Sequence, residues 1–288
     1  MLGSGSGGNS TLLVHRDRGV LIDAGLSYRQ ITLRLSDAGF DPACVDAIVI
    51  THGHGDHTRG ARLFCRRHDV PIFATEKVRA DCGEADMPTW RPLHANRRHE
   101  VCGLSFHPVT IPHDASETVA FRIETMEGAI GFATDIGSMT SELVEQFRDC
   151  RVLVVESNYA TELLRVSPYA RSTRDRIGSA RGHLSNEALA EFVRDHLGSQ
   201  VRCLILAHLS RVNNVPEIAE MTCREALAAR GRDDVDVLVA GQDSRAPTVD
   251  LAKWSRGRID GDHIQVGLPF DSAATSRPKA GDQRPAIS

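Results

Sequence analysis

The chain has 288 residues, 41% of them hydrophobic and 25% charged, with a formal net charge of −4. That balance is typical of a globular protein, it gives no global attraction for nucleic acid, and no apolar run approaches the ~18–20 residues of a membrane span. Seven scattered cysteines without a Cys-x-x-Cys spacing fit reduced thiols better than a disulfide frame or a structural zinc site.

The opening MLGSGSGGNS has neither the basic region nor the apolar segment of a secretory signal, so a cytoplasmic location is expected. STLLV and GVLIDAG are apolar runs split by the charged turn HRDR, which predicts a hairpin. SYRQITLRLSDAGF has a helix start at Ser27 and a stop at Gly39. VDAIVITH predicts a short strand ending in histidine, GARLFCRRHDV a helix and PIFAT a strand. Further strands are expected at LSFHPVTIPH, VAFRIETM, AIGFATD and RVLVVES. Then the pattern alternates: helix SNEALAEFVRDHL, strand RCLILAH, helix VPEIAEMTCREALAAR, strand VDVLVA. In the first of these helices Leu189, Phe192, Val193 and His196 or Leu197 recur at helical spacing, and Ser185 can cap its N-terminus. Many strands with helices outside them imply a layered α/β domain. From Gly267 to Ser288 the chain is rich in Ser, Pro, Ala, Gly and charge, and a disordered tail is expected there. Residues 1–266 then form one domain.

The strongest chemical signal is THGHGDHTRG. It places His52, His54, Asp56 and His57 directly after the apolar run AIVI. Imidazoles and a carboxylate together suit Zn²⁺, and also Mn²⁺ or Fe²⁺. Gly53 and Gly55 let the loop fold tightly, so that alternate side chains converge.

At this point the chain resembles the metallo-β-lactamase superfamily, whose motif of this form supplies ligands to two metals. The resemblance implies a four-layer αββα sandwich and three further ligands. TIPHDA offers His113, GFATDIG offers Asp135 and LILAH offers His208, each at the end of an apolar run. Taken singly, His113 reads either as a ligand or as a plain surface histidine. The resemblance gives His52, His54 and His113 to one metal and Asp56, His57 and His208 to the other, with Asp135 between them. It implies hydrolysis by a hydroxide generated between the two ions, with Asp56 orienting it. His15, His68, His94, His99, His107, His196 and His263 have no partners in the pattern.

The superfamily hydrolyses lactams, thioesters and phosphodiesters, so fold alone does not name the substrate. LGSGSGGNS resembles the glycine-rich first strand of the phosphodiesterase and nuclease branch. ESNYATELL, RDRIGSARGHLSNEALAEF and AHLSRVNNVPEIA resemble, nearly continuously, bacterial proteins of the YycJ/WalJ type. That group is regarded as DNA exonucleases acting from the 5′ end, so DNA is the implied partner. The chain departs from the pattern at Gly53 and Gly55, where relatives often carry Glu and Ser, and at Tyr159-Ala160, where they often carry His-Asp. Neither change removes an expected ligand.

Arg165, Arg171, Arg174, Arg176 and Arg181 form a run just before His183. It reads either as a phosphate clamp or as a solvated arginine-rich loop. Arg174, Arg176, Arg181 and Asn186 are the substrate-side candidates. Tyr159 and Tyr169 are the local candidates for base stacking. His183, placed by resemblance upstream of the last ligand at a helix start, is the candidate general acid. The segment from Asp135 to His208 leaves no room for the inserted domain of larger nucleases of the superfamily, and the long arm of tRNA-3′-processing relatives has no counterpart. Two other readings stay open: a phosphodiesterase for a small cyclic molecule with the same site, and a metal-binding protein without turnover.

Overall fold

The computed structural model describes residues 1–252 apart from 84–86 and 88. His263 and the expected tail at 267–288 lie outside the described residues. The chain begins with the hairpin β1 (Thr11–His15) and β2 (Arg18–Ile22), then α1 (Tyr28–Asp37), β3 (Val45–Val49), the single turn α2 (Gly55–Thr58), α3 (Ala61–His68), β4 (Ile72–Ala74), α4 (Glu76–Cys82) and β5 (Trp90–Pro92). Next come β6 (His99–Val101), β7 (Leu104–Ile111), β8 (Thr118–Thr125), β9 (Gly128–Ala133), α5 (Ser141–Phe147), β10 (Cys150–Glu156), α6 (Thr161–Arg165), α7 (Arg171–Ile177), α8 (Asn186–His196), β11 (Cys203–Ala207), α9 (Pro216–Ala228) and β12 (Asp236–Val239).

Strands 1 to 5 form one sheet in sequence order, and β12-β11-β10-β9-β8-β7-β6 form the other. Alternation along each strand separates three apolar layers. Leu21, Ile48 and Ile50 face Ile31, Leu35 and Phe64 of α1 and α3. Val20, Ile22 and Val49 face the opposite way, towards Phe106, Phe121, Val152 and Val154 of the second sheet. Leu153, Val155, Leu204 and Leu206 leave that sheet on its far side and meet Leu189, Phe192 and Val193 of α8 and Cys223 of α9. Helix, sheet, sheet and helix therefore stack as the expected αββα sandwich. Two-sided burial explains why β11 reads as the unbroken apolar run CLILA, every residue of it buried.

Local signals hold at the predicted positions. The Ser27 and Ser185 side chains accept hydrogen bonds from the Gln30 and Ala188 amides, and Gly39 takes a left-handed φ of 82° after α1. Leu197 rather than His196 continues the buried face of α8. The arginine run differs from its expectation: much of it is helical, in α6 and α7, with an Arg171–Asp175 pair one turn apart. All seven cysteines are free thiols. No helix among the described residues is long and apolar enough to cross a membrane.

Candidate metal centre

The polar residues of interest collect at one edge of the sandwich, where strands from both sheets end. Asp23 follows β2, His52 to His57 follow β3, His113 follows β7, Asp135 follows β9, Glu156 ends β10 and His208 follows β11. In α/β sheets the carboxyl ends of the strands are where loops converge. Asp23, Asp135 and His208 each turn off their strand with a positive φ, at 58°, 56° and 55°. That region is strained for a residue with a Cβ, by roughly 1–3 kcal/mol, and it turns all three side chains into the cluster. Gly25 permits the closest backbone approach: a Cβ there would lie 1.5 Å from the Asp56 carbonyl oxygen. The expectation for the two glycines of the histidine loop divides. A Cβ on Gly53 would lie 2.6 Å from that of Asp81, whereas Gly55 opens on free space.

The seven donors named from the sequence are brought together. His52, His54 and His113 form one set whose potential ligand atoms lie within 4.8 Å of one another, and Asp56, His57 and His208 form another. Asp135 touches both: its Oδ2 is 2.9 Å from His57 Nε2 and its Oδ1 3.7 Å from His113 Nε2. Asp56 Oδ2 stands 3.7 Å from the Nε2 atoms of both His57 and His208. His52 Nε2 and His208 Nε2 are buried and make no hydrogen bond. Buried polar atoms require a partner, and a divalent cation held by imidazole and carboxylate satisfies several at once. The residues therefore fit such ions.

Behind the donors stands a set of braces that sequence reasoning did not single out. Asp23, fully buried, accepts from His57 Nδ1 at 2.7 Å and from the Thr51 amide at 2.8 Å. Thr51 Oγ1 lies 3.0 Å from His52 Nδ1. The Asn9 amide nitrogen lies 2.9 Å from His57 Nε2, and Ser4 Oγ accepts from the His208 amide at 2.7 Å. The glycine-rich opening thus packs directly behind the centre. Glu156 is also fully buried, and its Oε1 accepts from both His183 Nδ1 and His208 Nδ1, each at 2.8 Å. Its Oε2 accepts from the Ile136 amide at 2.7 Å. The one available signal was positional: Asp23 and Glu156, like Asp135, are acids at the end of a buried apolar run.

Charge in the cluster follows from these contacts. Burial opposes protonation of His57, but Asp23 and Asp135 outweigh it and raise its pKa to about 10. Burial, helped by His57, holds His52 well below the ordinary imidazole range. His183 is raised, since Glu156 overcomes the effect of burial.

The substrate-side candidates scatter. Arg181 donates through Nε and Nη2 to the His113 carbonyl at 3.1 and 2.9 Å. Arg176 pairs with Asp114. Arg174 turns away and donates to the Arg165 carbonyl. Asn186 does not reach the surface: it is 2% exposed, and its amide is bonded to Ser157 and Asn214. Tyr159 is buried against Leu164 and Ile177, which leaves Tyr169 as the exposed aromatic of the pair. Ser210 accepts from the Asn213 amide at 3.1 Å, closing the turn after His208.

Comparison with known proteins agrees with this geometry. Residues 18–209 match the beta-lactamase superfamily domain. The exodeoxyribonuclease WalJ of Streptococcus pneumoniae is 31% identical over 234 residues, 79% of this chain and 87% of that protein. The exodeoxyribonuclease YycJ of Bacillus anthracis is 28% identical over 235 residues, 80% of this chain and 89% of that protein. Among solved structures, the metallo-β-lactamase fold protein YhfI of Bacillus subtilis superposes with a TM-score of 0.63 at 16% identity, covering 84% of this chain and 94% of that one.

Proposed function

The chain belongs to the metallo-β-lactamase superfamily, in its WalJ/YycJ branch, and from that premise we propose that it is a two-metal phosphodiesterase that degrades DNA exonucleolytically from the 5′ end. The observation that carries the reading is a cluster of nitrogen and oxygen donors with buried, unpartnered atoms, lying beside a histidine whose Nδ1 is engaged by a buried carboxylate. His52, His54 and His113 would hold one cation, Asp56, His57 and His208 the other, and Asp135 both. Zinc is the first choice for such donors, with manganese and iron as alternatives. Bound divalent cations supply Lewis acidity towards phosphate oxygens and make water a stronger nucleophile near neutral pH.

The chain's own groups do the rest. Asp56 accepts a hydrogen bond from the attacking water and fixes its direction. His183 donates Nδ1–H to Glu156, so its Nε2 is the nitrogen that carries the transferable proton. Glu156 stabilises the charged imidazole, and His183 gives that proton to the departing oxygen as general acid. With 14% of its side chain exposed, His183 is within reach of a substrate. Arg176 and Arg181 add positive charge on the same side. A cytoplasmic location suits a DNA substrate and seven free thiols.

The test is a gel assay on end-labelled single- and double-stranded DNA with Mn²⁺ or Zn²⁺, run beside cyclic phosphodiesters. Release of nucleotides from the 5′ end is expected, and His54→Ala should lose the ion of its own three-histidine set and abolish activity. Hydrolysis of cyclic phosphodiesters alone would replace the DNA reading by a small-molecule one. His183→Ala should keep its metal while turnover drops by about 10²–10⁴. Metal loss in that variant would sink the acid assignment.

A further inference from the structure

Resting on the two-cation reading above, we propose that Asp114 is a further donor to the subsite of His52, His54 and His113, and that Arg176 holds its carboxylate in place. Asp114 directly follows His113 beyond the end of β7, and its side chain is 26% exposed. Its Oδ1 lies 3.0 Å from His113 Nε2 and 3.9 Å from His54 Nε2. With Asp135 shared, Asp114 would be the fifth donor, and nitrogen and oxygen donors at about 2.0–2.2 Å from zinc stand about 3.0–3.6 Å from their neighbours in a five-coordinate shell. The His113 separation falls in that range and the His54 separation just beyond it, so a small shift of the part-exposed His54 side chain lets one cation be shared by Oδ1 and both nitrogens.

The second carboxylate oxygen is engaged from the other side. Asp114 Oδ2 accepts from the Arg176 guanidinium, and Arg181 fixes the main chain one residue earlier through the His113 carbonyl. A ligating carboxylate is ordinarily held by such an outer hydrogen bond, whose loss costs about 10–100-fold in metal affinity. Charge points the same way. Three imidazoles bring no negative charge to a divalent ion. Asp56 stands by the other three-donor set, and Asp135 is shared. Asp114 would give the histidine-only set a carboxylate of its own. On this view Arg176 serves the metal shell, and it is not a free phosphate clamp.

The experiment titrates Zn²⁺ into chelator-stripped protein against a chromophoric competitor, with stoichiometry from elemental analysis and the visible spectrum of the Co²⁺-loaded form as a second readout. Wild type should bind two ions. In Asp114→Ala one of the two should weaken by about 100-fold and its Co²⁺ spectrum should change, while the other ion stays. Arg176→Ala should weaken the same ion by about 10-fold. Asp114→Asn, nearly isosteric, should weaken that ion too, and it guards against a folding defect, which a thermal melt of the metal-free form would report. Two ions held at wild-type affinity with an unchanged spectrum in both Asp114 variants would overturn the role of Asp114 and leave the two-cation reading standing. A wild type that binds fewer than two ions would overturn both.

Discussion

The two three-donor sets of the candidate centre are built to different standards. The set of Asp56, His57 and His208 has its imidazoles at 0% and 4% side-chain exposure, each braced by a buried carboxylate, Asp23 or Glu156. The set of His52, His54 and His113 leans on neutral acceptors, Thr51 Oγ1 and the Gly182 carbonyl, and its His54 side chain is 41% exposed. A carboxylate behind an imidazole fixes its orientation and makes it a better donor. The expectation is one tight and one labile subsite, with Asp135 tying them together.

Removing that tie is the largest perturbation. Asp135→Ala should release both ions and reduce hydrolysis to background, read by elemental analysis and the DNA gel assay. One ion retained at full affinity would show that the braced set stands alone. Next in size, Asp23→Asn should weaken a single ion by about 10–100-fold, in a competitive zinc titration. Thr51→Val takes the acceptor from His52 Nδ1 and one of several donors from Asp23, so it should act chiefly on the other ion, and by less. Equal effects of the two variants would remove the contrast. Stepwise chelation of wild type should then show two phases, and in His54→Ala the slow phase alone should persist. The smallest effect concerns pH. Because the pKa of His183 is raised, its acid form persists above the ordinary histidine range, and activity should fall only as pH rises beyond that range. Glu156→Gln removes the cause of the rise, so the alkaline limb should move to lower pH. An unmoved limb would detach Glu156 from His183.

Much of the fold was legible because two-sided burial writes strands as uninterrupted apolar runs. CLILA and AIVI needed no partner to be recognised. What escaped was short or polar. The α4, α5 and α7 helices have seven residues each, too few for a periodic pattern, and Ala170 before α7 offers no side-chain cap. Its arginines therefore read as a loop. At the centre, the named donors share a compact motif or end an apolar strand in a histidine or aspartate that the resemblance asked for. Asp23 and Asp114 carry no such label. Glu156 lay within a stretch quoted for resemblance, yet its role depends on two histidines 27 and 52 residues further along. Such relations exist only once strands from both halves of the chain lie side by side.

The Glu156 carboxylate has a consequence for redesign. A single oxygen serves the last member of the braced set and the proposed proton donor. His183 and His208 each open a His-Leu-Ser tripeptide, 183–185 and 208–210, and the two copies are thereby wired in parallel to one terminal. Whoever retunes the acidity of His183 through that oxygen also detunes His208. Independent control would require a second wire, such as a new acceptor for His183 on the α7–α8 connection.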